Sequence, residues 1–213
     1  MLDTVIFDLD GTLLDTLDDL HLSVNATLKK YNLPTRTKDE VRSFVGNGVP
    51  KLIERSLGSF YPQYFDAALA DFKAYYKTHC NINTRAYEDI IDSLSYLKEK
   101  GYKIAVVSNK VDFATKSLCR NYFGDLVDMA IGQREGTPKK PAPDSVFEAM
   151  RELESKNAIY VGDSDVDIMT AKNANLPCVC VTWGFRDIEF LTKSGGDIFA
   201  HNTKQMLEII ENF

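Results

Sequence analysis

The chain has 213 residues, 44% of them hydrophobic and 26% charged, which excludes a disordered, collagen-like or disulfide-scaffold protein and allows one large domain or a core with an insert. Its 25 Lys and Arg against 31 Asp and Glu give a net charge of -6, so the surface as a whole repels nucleic acid and anionic lipid, and a small ligand is the expected partner. No apolar run approaches the roughly 18 residues of a spanning helix, and Met1-Leu2-Asp3 puts no basic region ahead of an apolar stretch; a cytoplasmic protein with no membrane partner, monomeric or a small homo-oligomer, is expected.

In chain order, Thr4-Val-Ile-Phe7 is a short apolar run that reads as a strand buried on both faces. A long helical stretch follows. Leu17, Leu20, Val24 and Leu28 mark one helix, Thr37-Lys-Asp-Glu40 is a capping-box start for another, and Phe65, Leu69, Phe72 and Tyr76 mark a third. Between the last two, Phe44-Val-Gly-Asn-Gly-Val49 interrupts the helical pattern. Then Ile91, Leu94 and Leu97 repeat at helical spacing, with Gly101 as a stop. The strand candidates Lys103–Val107, Met129–Ile131, Ala158–Val161 and Cys178–Val181 complete the series. This order predicts an α/β fold: a parallel-sheet core domain from residues 1–15 and 81–213, with an all-helical unit over 16–80 inserted after the first strand. Cys80, Cys119, Cys178 and Cys180 form no C-x-x-C pair and read as reduced thiols, the last two as core filling. His21, His79 and His201 are scattered and read as solvated or satisfied.

Phe7-Asp8-Leu9-Asp10-Gly11-Thr12-Leu13 is the most informative segment. Open parallel sheets bind ligands beyond the carboxyl ends of their strands, where Asp8 falls. Carboxylates at i and i+2 share one side of an extended chain. Held close, Asp8 and Asp10 either share a proton or bind a hard cation, and Mg²⁺ suits one or two carboxylates plus water and phosphate oxygens. An Asp-Gly turn is the plainer alternative. Asp8-Leu-Asp10-Gly-Thr-Leu13 resembles the first signature of the haloacid dehalogenase superfamily of phosphatases, in which the first Asp is the nucleophile and the second the general acid and base. The resemblance puts those roles on Asp8 and Asp10.

That family has three further signatures, each ending a strand. Ser108 in Val107-Ser-Asn-Lys110 supplies the second, and Ser108 with Asn109 would hold phosphate oxygens through neutral donors. Lys140, directly before Pro141-Ala-Pro143, matches the third, a point charge that eases attack of an anion on an anion. Tyr160-Val-Gly-Asp163-Ser-Asp-Val-Asp167 fits the fourth: Asp163 as a metal ligand, Asp167 ordering the site. A helix N-terminus also explains Asp165 and Asp167, but not Asp163. The resemblance covers nearly the whole chain.

By resemblance the fold is a Rossmann-like core with a helical cap that selects the substrate. Mg²⁺ is the implied cofactor, held by Asp8, the Asp10 backbone carbonyl and Asp163, and the partner is a small phosphorylated metabolite. Thr12 either orients the Asp8–Asp10 loop or caps the next turn. The segment Gly46-Asn47-Gly48 resembles the substrate loop of phosphoglycolate phosphatases, with Arg55 either a carboxylate ligand or a cap-to-core pair. Trp183, in Thr182-Trp-Gly-Phe-Arg186, also resembles that subgroup and is either a core aromatic or a pocket wall. Where the subgroup usually runs Tyr-Pro-Gly-Val, this chain has Tyr87-Glu-Asp89-Ile90. The expected reaction is hydrolysis of a phosphomonoester, foremost 2-phosphoglycolate. A pyrophosphatase, a sugar-phosphate phosphatase, a β-phosphoglucomutase-like phosphotransferase or a non-enzymatic binding member are the alternatives.

Overall fold

Every residue of Thr4–Phe7 is fully buried, and this run, β1, takes the middle of the sheet because only a central strand is covered on both faces. The structure, a computed structural model, describes residues 2–213. After β1 come β2 (Leu14–Asp15), α1 (Leu17–Lys30), α2 (Lys38–Phe44), α3 (Val49–Leu57), α4 (Phe65–His79) and β3 (Arg85–Ala86). The chain continues through α5 (Ile90–Glu99), β4 (Lys103–Val111), α6 (Asp112–Phe123), β5 (Met129–Gln133), α7 (Asp144–Glu152) and β6 (Ala158–Gly162). It ends with α8 (Asp165–Asn173), β7 (Cys178–Val181), α9 (Ile188–Lys193), β8 (Ile198–Ala200) and α10 (Thr203–Glu211).

Six parallel strands form one sheet in the order β5-β4-β1-β6-β7-β8. One face packs Val5, Phe7, Val106 and Val161 against Leu94 and Leu97 of α5, Leu118 of α6 and Ile210 of α10. The other packs Ile6, Ala105 and Val107 against Val146 and Ala149 of α7 and Ala171 of α8. Phe7 is level with Val106 on one side and Val161 on the other. Asp8, Ser108 and Asp163 therefore leave the carboxyl edge within about one residue of each other, which is what assembles the site.

The chain divides into two compact units, one running up to Leu14 and again over Ala86–Phe213, the other Asp15–Arg85. Residues 81–85, expected with the core, belong to the helical unit. The reason is Asp19 of α1, which is buried and accepts hydrogen bonds from the backbone N–H groups of Ile82, Asn83 and Thr84 and from the side chains of Asn83 and Thr84. In that unit the capping box forms as expected: Glu40 N–H donates to Thr37 Oγ1 at 3.2 Å and Thr37 N–H to the Glu40 carboxylate at 2.7 Å.

Two local expectations shift. The buried stripe of α5 begins at Ile90, while Ile91 is 45% exposed. Strand β8 was invisible in the pattern because only three residues pair and two of them are half-buried. All four cysteines are free, and Cys180 fills a small core with Ile168 and Leu191. No helix among the described residues is long and apolar enough to cross a membrane.

Candidate active site

Asp8 follows β1 directly and is 8% exposed. The turn after it depends on Gly11, at φ +89°, where a Cβ would stand 2.2 Å from Asp163 Oδ2. Glycine is needed twice over here, for its φ and for the close approach of two acidic loops. Gly184 serves the same approach from β7's side, since a Cβ there would lie 2.4 Å from both Asp163 Cβ and the Gly11 carbonyl. With the loops this close, the Phe185 N–H donates to Asp163 Oδ2 at 2.7 Å, and Thr12 Oγ1 reaches Asp163 Oδ1 at 3.4 Å. The Thr12 hydroxyl thus meets Asp163 and not the Asp8–Asp10 loop. Trp183 packs on the core and its indole N–H donates to the Thr12 carbonyl at 3.0 Å, so it is a core aromatic that pins the first loop.

Lys140 is buried and its Nζ lies 2.9 Å from Asp8 Oδ1, 2.7 Å from Asp167 Oδ1 and 2.9 Å from Tyr160 Oη. Lys139 beside it is exposed. Asn109 Nδ2 donates to the Lys140 carbonyl at 3.0 Å, tying the second signature to the third. Asp167, in the first turn of α8, gives its other oxygen to the Ser164 hydroxyl at 2.6 Å and to the N–H groups of Ser164 and Asp163. Both of its oxygens are thus engaged.

The electrostatics follow from burial. Asp8 is pushed up to about 7, by burial first and then by the Asp167 charge, against the pull of Lys140. Asp163 is raised well above the usual carboxylate range by burial, then by Asp167 and Asp8. Burial alone would discharge Lys140, yet Asp167 and Asp8 hold it charged and raise its pKa well above the ordinary value. Two buried carboxylates pushed up in the same direction, by burial and by neighbouring carboxylates, mark a site short of positive charge. One oxygen each from Asp8, Asp163 and Asp167 lies within 4.8 Å of the others, and oxygen donors at that spacing fit a hard divalent cation. Because Asp167 is saturated, Asp8 and Asp163 are the carboxylates with ligand capacity.

The structure thus brings Asp8, Asp163, Asp167, Lys140, Asn109 and Thr12 into one cluster of hydrogen bonds and ion pairs, which Asp8 joins through its ion pair with Lys140, with Ser108 buried at the same sheet edge. Gly46, Asn47 and Gly48 lie between α2 and α3 in the helical unit. There Arg55 donates to the Phe44 carbonyl at 2.8 Å and so braces that loop. Two residues escaped the sequence reading. Tyr160 looked like ordinary strand filling, although a tyrosine at a fully buried position needs a partner for its hydroxyl. Lys110 entered only as the residue after Ser108-Asn109, and nothing at that position in the sequence marks its partner, Asp10.

A family model described as haloacid dehalogenase-like hydrolase matches residues 5–181. The phosphoglycolate phosphatase of Rhodobacter capsulatus is 36% identical over 191 residues, 87% of each chain. That of Colwellia psychrerythraea is 34% identical over 203 residues, 91% of this chain and 90% of its own. A solved structure from Lactobacillus delbrueckii subsp. bulgaricus, of a candidate phosphoglycolate phosphatase, superposes with a TM-score of 0.94 at 31% identity over 99% of each chain.

Proposed function

The chain belongs to the haloacid dehalogenase-like hydrolases and is a phosphatase, and from that premise we propose that it is a Mg²⁺-dependent phosphomonoesterase working through an aspartyl-phosphate on Asp8, with 2-phosphoglycolate as its substrate. The observation that carries this reading is Lys140 Nζ beside Asp8 Oδ1 at 2.9 Å, which keeps one carboxylate oriented beside a fixed cation at a strand end. The relatives' names support the choice of substrate.

Asp8 attacks phosphorus in line: its oxygen forms the new O–P bond as the bond to the leaving oxygen breaks, and Asp10 gives that oxygen a proton. Asp10 then takes a proton from water as the water oxygen attacks phosphorus and the Asp8–phosphate bond breaks, so one carboxyl serves as acid and then as base. Ser108, Asn109 and Lys140 hold the phosphate oxygens. The Asp8 and Asp163 carboxylates and the Asp10 carbonyl would hold Mg²⁺, which when bound supplies positive charge to a phosphate oxygen. The helical unit, through Gly46, Asn47 and Gly48, selects the small acid.

Phosphate release from 2-phosphoglycolate, pyrophosphate, sugar phosphates and nucleoside monophosphates, with Mg²⁺ and with EDTA, tests both levels. Preference for 2-phosphoglycolate, lost in EDTA and in Asp8→Asn, is the expected result. Broad Mg²⁺-dependent turnover would remove the substrate assignment, and normal turnover by Asp8→Asn would remove the nucleophile.

A further inference from the structure

Lys110 belongs to none of the four signatures, yet its side chain is 2% exposed and its Nζ sits 2.8 Å from Asp10 Oδ1. A buried ammonium is costly unless paired, so a lysine retained there has a specific partner to serve. Its placement is built from several sides. The pairing of β4 with β5 shifts register between Val107 and Val111, and such irregularities re-aim side chains beside active sites. The Lys110 N–H donates to Ser108 Oγ and its carbonyl accepts from Thr115 Oγ1, each at 3.3 Å. Gly132 on β5 clears the space, since a Cβ there would stand 2.6 Å from the Lys110 carbonyl and 2.5 Å from Asp112 Cα. The Gly132 N–H also donates to Asp112 Oδ1 at 2.9 Å, fixing the chain just beyond.

We infer that Lys110 is a positioning residue for Asp10: by holding Oδ1 it fixes the carboxyl's rotation, so that Oδ2 is the oxygen that gives a proton to the leaving group and later takes one from water. The Asp10 side chain is 13% exposed and has no second hydrogen-bond partner among the described residues, so without Lys110 its carboxyl would turn freely. Proton transfer needs donor and acceptor held at hydrogen-bond distance, which a rotating carboxyl meets only part of the time. The inference rests on the acid–base reading of Asp10 proposed above and adds the residue that aims it.

Leaving-group dependence is the test. Substituted phenyl phosphates share one shape, and the more basic the departing phenolate, the more it needs a proton from Asp10. kcat/KM reports the step in which that group leaves. Lys110→Met and the milder Lys110→Gln should each lose roughly tenfold or more in kcat/KM on phenyl phosphate relative to p-nitrophenyl phosphate. Asp10→Asn should show the same steepening, and Lys110→Arg should recover part of it. Mg²⁺-induced thermal stabilisation is read on each variant as a measure of an intact site, and should persist in both Lys110 variants. Equal losses across the series in the Lys110 variants, beside a steep series in Asp10→Asn, would overturn the inference and leave the reading of Asp10 standing. A flat series in Asp10→Asn would overturn that reading and this inference with it.

Discussion

Lys140 Nζ lies 2.9 Å from Asp8 Oδ1 with both side chains nearly sealed from water, at 3% and 11% exposure. The same ammonium meets Asp167 at 2.7 Å, so one cation offsets a cluster of buried carboxylates. Lys140→Met keeps the volume and removes the charge. Breaking a buried pair from one side costs about 3–5 kcal/mol, and losing a fixed donor at a reacting group costs about 10²–10³ in turnover. Urea unfolding and phosphate release should show losses of those sizes. Lys140→Arg should not restore turnover, because a planar fork cannot reach Asp8, Asp167 and Tyr160 as a point donor does.

The raised Asp8 carboxyl makes metal-free stability depend on pH. In the unfolded chain an Asp titrates near about 3.9, whereas Asp8 in the fold is pushed up to about 7 by burial and by Asp167. Between those values the native state binds the extra proton, so stability falls as pH rises from about 4 to about 7 and then levels off, by on the order of 2–4 kcal/mol. Mg²⁺ works against this, since it binds the deprotonated carboxylates and stabilises more as pH rises. Thermal unfolding in EDTA should show the decline for the natural sequence and a flatter profile for Asp8→Asn. A natural-sequence profile as flat as that of the variant would refute the assignment.

Much of this site was legible because its residues obey two local rules at once. Asp8, Ser108 and Asp163 each end an apolar run, and all are polar where a buried strand meets the sheet edge. Lys140 was legible only through its Pro-x-Pro neighbour, since nothing in its own charge distinguished it from the exposed Lys139. Tyr160 and Lys110 stayed hidden because their roles are set by partners 20 and 100 residues away in sequence, and periodicity carries no such information. The boundary at 81 failed for a similar reason: Asp19 holds Ile82–Thr84 across more than 60 residues of chain.

Tyr160→Phe isolates one hydrogen-bonding group. The hydroxyl accepts from Lys140 Nζ at 2.9 Å and lies 3.2 Å from both Asp167 Oδ1 and the Val107 carbonyl, while the ring stacks under the ammonium at 5.5 Å. Phenylalanine keeps the ring and leaves Lys140 its two carboxylates. The expected loss is about 1–2 kcal/mol in urea unfolding and less than about tenfold in turnover. A loss as large as that of Lys140→Met would mean that the hydroxyl, and not the paired carboxylates, fixes the ammonium.

Asp89 adopts φ +55° at the start of α5, with no side-chain capping bond. Left-handed backbone is disfavoured for any residue with a Cβ, though aspartate tolerates it better than most. Asp89→Gly removes that cost and adds back some freedom to the unfolded chain. The net expectation is a gain of about 0.5 kcal/mol, a rise in Tm of about 1–2 °C, with turnover unchanged. A lower Tm would show that the Asp89 side chain contributes more than its backbone costs.

Gly46 and Gly48 have φ of +116° and +83°, so alanine at either would strain the backbone and blur any reading of substrate choice. Asn47 between them can be changed without that complication. The loop is braced at one end by Arg55 on the Phe44 carbonyl and runs at the other into the N-terminus of α3, so its backbone should survive loss of one amide. If it selects a small acid substrate, Asn47→Ala should raise KM for 2-phosphoglycolate by about tenfold, the loss of one hydrogen bond of about 1.4 kcal/mol. kcat/KM for p-nitrophenyl phosphate, which offers no carboxylate to recognise, should stay within a factor of about 2, since uniform binding of the phosphate is untouched. An equal change in both substrates would place Asn47 in loop architecture and return substrate choice to other residues of the helical unit.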